Sequence, residues 1–396
     1  MKQIIQNLKD GKTVLIECPT PSIKKGHILI KTTRTLVSLG TERMLVEFGK
    51  ASLLKKARQQ PDKVHEVLNK MKTDGVISTI EAVNNKLNQP IPLGYCNVGE
   101  VIDVGEGVKS FKKGDRVASN GNHSEFVLIP ENLATVIPSN VSDDEAAFTV
   151  IGSIGLQGIR LINPTFGETF VVIGLGLIGL ITVQILKSSG CNVIGFDFDD
   201  NKVNIARSFG VEAICIKNSF NQVDYVREYT NHVGADGVLI TASNPSNDII
   251  SNAAQMSRKR GRIILVGVIG LDINRSDFYE KELTFQVSCS YGPGRYDSNY
   301  ENDGNDYPVA FVRWTEKRNF DSILNALSTK KINVNPLISE KINFEDYMKL
   351  YGNINKSKSI ATILKFDESS EKKINSSILI SNKTYKSNKE LLGIIG

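Results

Sequence analysis

The sequence predicts an α/β fold in which a doubly wound parallel sheet is joined to a discontinuous β-rich domain. Three observations predict it. Residues Phe170–Lys202 read as strand, turn, helix and strand without interruption. The chain before them breaks into short β-prone runs separated by Pro, Gly and Lys-Gly turns, and strand and helix patterns resume near its end. At 396 residues, the chain is too long for one ordinary core.

Taken in order, Thr13–Glu17, Ile28–Thr32, Gly99–Val104, Arg116–Ala118 and Phe126–Ile129 read as strands of the β-rich domain. Met44–Lys72 interrupts them with leucines, valines and charges at helical spacing on either side of Pro61, as two inserted amphipathic helices. Those helices either cover a cleft or pair with another subunit. Lys50, Lys55 and Lys56 either face an anionic substrate or lie on a solvated face. Ser142 with Glu145 three residues on is a capping box opening a helix from Asp143 to Leu161. Ala235–Thr241 and Gly261–Gly267 supply two later strands of the parallel sheet. Beyond the irregular stretch after Tyr291 come a helix, Phe320–Ser328, and strands near Ile338–Ile342 and Ile360–Phe366. The resulting division is residues 1–149 with an insertion at 44–72, a nucleotide domain at 150–296, a return to the first domain at 297–366, and a polar linker and tail at 367–396.

Phe170–Ile173 is apolar enough for burial on both faces, as an inner parallel strand requires. Gly174-Leu175-Gly176-Leu177-Ile178-Gly179 follows and fits G-x-G-x-x-G. The first glycine allows the tight turn, the second admits a pyrophosphate against the backbone, and the third lets helix pack on strand. Amides at the helix start point at the phosphates. Asn192–Phe196 then ends in Asp197, 23 positions after Gly174, where an acid accepts ribose hydroxyls. This context points to a bound dinucleotide. A carboxylate at that place repels a 2′-phosphate, which favours NAD(H) over NADP(H). Lys202 is either a ribose contact or a solvated first-turn lysine. Thr241 and Gly267 end later strands in the small residues that let a nicotinamide approach backbone.

A formal charge of +5 comes from scattered lysines with no aromatic-interleaved basic stripe, which argues against nucleic acid. Five widely spaced cysteines form no disulfide framework. The N-terminus lacks a signal-peptide pattern, and the longest apolar run, Phe170–Leu186, contains the three glycines and falls short of a membrane span. Together these features predict a cytoplasmic protein.

Several separated stretches carry a resemblance. Ser38-Leu39-Gly40-Thr41-Glu42 stands where C-G-T-D is found, Gly94-Tyr95-Cys96-Asn97-Val98-Gly99-Glu100-Val101 where G-H-E-x-x-G-x-V is found, and Val108–Val117 resembles V-x-x-F-x-x-G-D-R-V. With the glycine turn and Asp197, the chain over residues 1 to about 366 resembles the medium-chain dehydrogenase/reductase superfamily, the zinc-type alcohol dehydrogenase-like proteins. The resemblance implies a GroES-like first domain and an NAD(P)-dependent oxidoreductase acting on an alcohol or carbonyl. More narrowly, GKASLLKKARQQPDKV, LGYCNVG and SYGPGRYDSNYENDGNDYP resemble the front half of bi-domain oxidoreductases whose second half is of the Gfo/Idh/MocA type, often linked with sugar metabolism. In that light Leu391–Gly396 reads as the start of a second dinucleotide turn or as an ordinary tail. A homodimer is implied by resemblance alone.

The departures bear on the chemistry. Leu39 and Tyr95 stand where the family has a thiolate and an imidazole zinc ligand, and Cys96 replaces the neighbouring acid. No cysteine lies between Cys96 and Cys191, so the structural zinc lobe is missing too, and His27, His65, His123 and His232 have no metal-ligand spacing. The expectation is a zinc-independent member, with no catalytic or structural zinc. Hydrogen-bond donors must then polarise the substrate oxygen. Thr41 matches the family's proton-relaying hydroxyl, against a turn or cap role; Tyr95 either donates to a developing alkoxide or packs on the nicotinamide. Glu42 is read as a structural acid, Cys96 as a packed thiol, and His123 as a turn cap at the domain surface. Tyr291, Arg295 and Tyr296 sit on a glycine-bounded loop where a guanidinium can fork onto an anion and aromatics can stack on a sugar; the alternative is an arginine satisfied locally. A second functional reading remains: a dinucleotide-binding module with little activity alone, serving a fused or partner sugar oxidoreductase.

Overall fold

The computed structural model describes residues 1–8, 10–51, 56, 89–217, 220–367, 374–375 and 377–378. Most of the inserted segment 44–72 and the expected second dinucleotide turn lie outside the described residues. The strands are β1 (Lys2–Gln6), β2 (Thr13–Glu17), β3 (His27–Val37), β4 (Ile91–Pro92), β5 (Asn97–Val104), β6 (Arg116–Ser119), β7 (Phe126–Pro130), β8 (Ala134–Val136), β9 (Thr169–Ile173), β10 (Asn192–Asp197), β11 (Glu212–Cys215), β12 (Ala235–Ile240), β13 (Ser243–Asn244), β14 (Ser257–Leu265), β15 (Val268–Ile269), β16 (Thr284–Val287), β17 (Ile338–Asn343) and β18 (Ala361–Lys365). The helices used below are α1 (Leu39–Lys50), α2 (Asp143–Ala146), α3 (Thr149–Ile162) and α4 (Leu177–Ser188).

Six strands form a sheet in the order β11-β10-β9-β12-β14-β16, and every pairing in it is parallel. Phe170, Val171 and Val172 of β9 are 0% exposed, the two-sided burial that an inner parallel strand needs. Strand order runs one way from β9 to β11 and the other way from β12 to β16. The reversal between β9 and β12 opens a crevice at their carboxyl ends, where Gly174 and Thr241 stand.

The first domain is a seven-stranded sheet, β17-β18-β3-β5-β6-β8 with β7 also on β3, beside a small sheet β2-β1-β4. β18 pairs with β3 antiparallel, so the C-terminal segment returns to the N-terminal sheet. One hydrophobic core joins both domains: Ile30, Val98 and Phe148 share it with Phe170, Leu180 and Leu324. α3 runs through this core, with Val150, Ile151, Leu156 and Ile159 all buried.

Three local expectations are corrected. The helix expected from Asp143 is two helices, α2 and α3, although its capping box is present at Ser142 and Glu145. The Thr149 hydroxyl donates to the Ala146 carbonyl at 2.6 Å, a side-chain bond that competes with the helical ladder at the break. α1 begins at Leu39 rather than Met44, because Leu39 and Val46 bury their apolar groups with Ile4, Leu93 and Tyr351. Packing outweighs the cost of Gly40 there, about 1 kcal/mol. Lys56 is on neither a solvated face nor a substrate surface: it is buried, and its ammonium donates to the carbonyls of Leu8 at 2.6 Å and Gly49 at 2.9 Å.

Candidate active site

The glycine turn is built as its three positions require. Gly174 has φ +95°, and a Cβ there would meet the Ala242 backbone nitrogen at 2.7 Å. A Cβ on Gly179 would lie 2.0 Å from the Gly174 carbonyl oxygen, so only hydrogen lets α4 approach the turn. Gly176 differs: a Cβ there would meet nothing within 4 Å, so its backbone faces open space at the sheet's crevice. Leu177 and Ile178 open α4, and Leu180 is the first of its residues whose amide reaches a backbone carbonyl, that of Gly176 at 2.8 Å. The earlier amides and the helix dipole are therefore available to an anion.

Asp197 closes one side of this cradle. Its carboxylate accepts from the Leu175 amide at 2.7 Å and from the Asp199 amide at 2.9 Å, while the Lys202 ammonium lies 3.8 Å away. A carboxylate oxygen has more than one lone pair, so these bonds aim the group without exhausting its acceptor capacity. Thr241 donates its hydroxyl to the Gly174 carbonyl at 2.5 Å, tying β12 to the turn across the crevice. Gly267 packs so tightly that a Cβ would lie 2.0 Å from the Ala242 carbonyl oxygen. These residues fit a dinucleotide.

Thr41 and Tyr95 come together. The Thr41 hydroxyl, in the first turn of α1, is 3.2 Å from the Tyr95 phenol oxygen. Burial pushes the Tyr95 phenol well above its ordinary range, and the nearby Cys96 adds to the shift. The phenol therefore keeps its proton at neutral pH. Cys96 beside it is 1% exposed, and burial raises its thiol strongly as well, opposed by a hydrogen bond at the Ile151 backbone.

Glu42 and His123 carry a correction. His123 is not at the domain surface but 0% exposed, as is Glu42. Its Nε2 is 3.1 Å from Glu42 Oε1 and its Nδ1 is 2.7 Å from the Thr35 hydroxyl. The Tyr351 phenol donates to the other Glu42 oxygen. Gly94, with φ +88°, lets the imidazole sit where a Cβ would be 2.6 Å away. This network braces Thr41 through Glu42, its neighbour in α1, and Tyr95 through Gly94. Tyr351 lies 309 residues from Glu42, and no local pattern marks it.

The donor set does not fit a zinc ion at the family's position. Leu39 is 8% exposed and packs in an apolar cluster. The Tyr95 phenol pairs with Thr41, the Cys96 thiol is held protonated by burial, and Glu42 is committed to His123 and Tyr351. Among the described residues, no three His, Cys, Asp or Glu side chains converge as metal ligands would.

The loop carrying Tyr291, Arg295 and Tyr296 is internally tied. Tyr291 is 4% exposed, and its phenol accepts from Asn120 at 3.2 Å across the domain junction. Arg295 pairs with Glu301 at 2.6 Å and lies 4.1 Å from the Tyr296 ring centre. Tyr296 itself is 75% exposed, with φ +68°. Of the three, Tyr296 is the side chain open to solvent.

Comparison with known proteins follows these lines. Residues 65–139 match the alcohol dehydrogenase GroES-like domain family and residues 178–302 the zinc-binding dehydrogenase family, together about half the chain. Sorbitol dehydrogenase 1 of Saccharomyces cerevisiae is 27% identical over 306 residues, covering 67% of this chain and 78% of its own. An NAD-dependent alcohol dehydrogenase of Sulfurisphaera tokodaii is 27% identical over 276 residues, covering 58% of this chain and 78% of its own. The crystal structure of 2R,3R-butanediol dehydrogenase from Bacillus subtilis shares the fold with a TM-score of 0.69 at 19% identity, covering 92% of this chain and 99% of that one. The parallel sheet with its glycine turn, the returning β-rich domain and these matches place the chain in the medium-chain dehydrogenase/reductase superfamily, among the alcohol dehydrogenase-like oxidoreductases.

Proposed function

We propose that the chain is an NAD(H)-dependent, zinc-independent oxidoreductase that interconverts an alcohol and a carbonyl, with a polyol or sugar derivative as substrate. The observation that carries the reading is the Thr41–Tyr95 hydroxyl pair at 3.2 Å, on the spot where zinc ligands are absent. α3 supports its placement relative to the glycine turn. Cys96, next to Tyr95, is hydrogen-bonded at Ile151, and Gly155 one turn further along α3 faces Thr182 and Ile178 of α4.

The residues that would hold the dinucleotide are Gly174–Gly179, with their backbone amides, and Asp197, whose negative charge disfavours a 2′-phosphate. When bound, the nicotinamide supplies or accepts the hydride. Tyr95, kept protonated by burial, donates to the substrate oxygen where negative charge grows. Thr41 donates to the phenol oxygen and continues the hydrogen-bonded chain. Glu42 and His123 hold both hydroxyls in place without contacting substrate. Tyr296 offers an exposed ring to a sugar face, with Arg295 beneath it. The relatives named sorbitol dehydrogenase support the polyol class.

The test is oxidation of a panel of alcohols and polyols by the chelator-treated protein with NAD. Turnover in that state supports the reading. Turnover that returns only when zinc is restored contradicts its metal-free part.

A further inference from the structure

We propose that the pocket beside Trp314 is a binding site for a phosphomonoester whose organic part carries hydroxyl groups, recognised by Arg313 and Arg318. The site lies apart from the Thr41–Tyr95 pair and does not depend on the reading given to it. Trp314 precedes the helix Glu316–Ser328, and two guanidiniums stack on it. The Arg160 guanidinium carbon, from α3, is 3.4 Å from the ring centre and that of Arg313 is 3.9 Å away.

Among the described residues, neither arginine has a counter-ion. Elsewhere Arg34 pairs with Asp144, Arg116 with Asp143, Arg258 with Asp236 and Arg262 with Glu168. Arg160 instead donates to neutral groups, the Asn319 side-chain oxygen at 2.6 Å and the Ser322 hydroxyl at 3.0 Å. Arg313 has no carboxylate within ion-pair reach among the described residues. Burial and then the Arg313 charge pull the Arg160 guanidinium down to about 10, as two like charges stacked on one indole require. Arg313 is the exposed member of the two, and an anion bound beside it would offset their repulsion.

The adjoining cavity of about 320 Å³ is lined by Arg313, Trp314, Arg318, Asp321, Ser322 and Asn325. That volume is at the lower end of small-molecule sites, which span roughly 300–1,000 Å³. Arg318 already carries Asp306, and Asp321 accepts the Thr135 hydroxyl. Arg313 and Arg318 against Asp321 leave the lining positive while keeping a carboxylate wall, and Arg160 on the same indole adds to the field. Arginine forks suit a phosphate's oxygens, Asp321 and Asn325 suit ligand hydroxyls, and the indole suits the apolar face of a sugar. A hydroxylated phosphomonoester satisfies all of these at once.

Trp314 is the single tryptophan of the chain, so its emission reports on this pocket alone. The experiment is a fluorescence titration of the full chain, without dinucleotide and at fixed ionic strength, with glucose 6-phosphate, inorganic phosphate and glucose. The proposal expects a saturable change with glucose 6-phosphate, competition by inorganic phosphate and no response to glucose. Arg313→Ala, at an exposed position, weakens glucose 6-phosphate about tenfold or more with an unchanged unfolding midpoint, and Arg313→Lys restores only part of the affinity. Absence of a saturable change, equal affinity in Arg313→Ala, or an equal response to chloride would overturn it. A changed oligomeric mass in Arg313→Ala with phosphate binding untouched would also overturn it, assigning the face to protein contact.

Discussion

The Thr41 hydroxyl lies 3.2 Å from the Tyr95 phenol oxygen, although 54 residues separate the two in sequence. The pairing depends on the early start of α1, which lifts Thr41 and Glu42 onto one helical turn. It also depends on Gly94, whose missing side chain lets His123 brace the residue before Tyr95. Tyr95→Phe removes the donor and keeps the ring. It is expected to lower kcat on the order of 10²-fold, with NADH affinity within about twofold of the wild type. Steady-state rates on an alcohol from the panel, alongside NADH titration, check this; an undiminished kcat takes Tyr95 out of the mechanism.

Asp197 accepts the Leu175 amide at 2.7 Å, and on the proposed reading its charge also repels a 2′-phosphate. Asp197→Asn keeps an acceptor for that amide and removes the charge. NADH affinity should fall about tenfold while NADPH affinity rises, because hydrogen bonds to charged groups are worth about 1.5–3 kcal/mol and neutral ones less. Parallel titrations with the two dinucleotides measure the ratio, and an unchanged ratio contradicts the role of the charge.

Among the described residues, His123 is the one imidazole set against a carboxylate with no exposure. His123→Leu leaves Glu42 with Tyr351 and takes away the bond at 3.1 Å. Stability should drop by about 2 kcal/mol, the scale for leaving a buried acceptor without its hydrogen-bond donor. Denaturant unfolding reads it directly. A loss below about 1 kcal/mol would mean that the network does not hold the two loops.

Much of the nucleotide domain is legible in sequence because its signals are local. Burial on both faces makes β9 a continuous apolar run, and the three glycines meet distinct steric demands within six residues. Asp197 stands at a fixed distance along the same unit. The hydroxyl pair is legible only through resemblance, since nothing near Thr41 points to Tyr95. Glu42, His123 and Tyr351 form a network closed by long-range contacts, and a lone histidine in GNHSEF carries no sign of burial. α1 starts before the helical spacing at Met44 because Leu39 and Val46 are held by tertiary packing that the spacing does not show. The Arg160–Trp314–Arg313 stack escapes notice for the same reason: Arg160 belongs to a helix far from Trp314 in sequence.

Glu316 gives the fold a pH dependence. Its side chain is 0% exposed and, among the described residues, no donor is aimed at either oxygen, so burial first and the Glu301 charge second raise its carboxyl to about 8. The raised value means the folded state holds a proton that the unfolded state has already released above its ordinary 4.5. Stability from this group is present in full below that value and is lost as pH rises towards about 8. The wild type should therefore lose on the order of 3 kcal/mol more than Glu316→Gln between the two limits. Unfolding curves of both proteins across that range check it. Parallel pH profiles would mean that Glu316 is ionised in the folded protein.

On the proposed reading, this chain binds NADH at the Gly174–Gly179 turn and needs no zinc for the site beside Thr41 and Tyr95. That reading is tested most directly by titrating the chelator-treated full chain with NADH and with NADPH by fluorescence, with bound zinc determined on the same sample. The account predicts saturable NADH binding, tighter than NADPH, without stoichiometric zinc. Failure of both dinucleotides to bind, or binding that appears only with one zinc per chain, would contradict it.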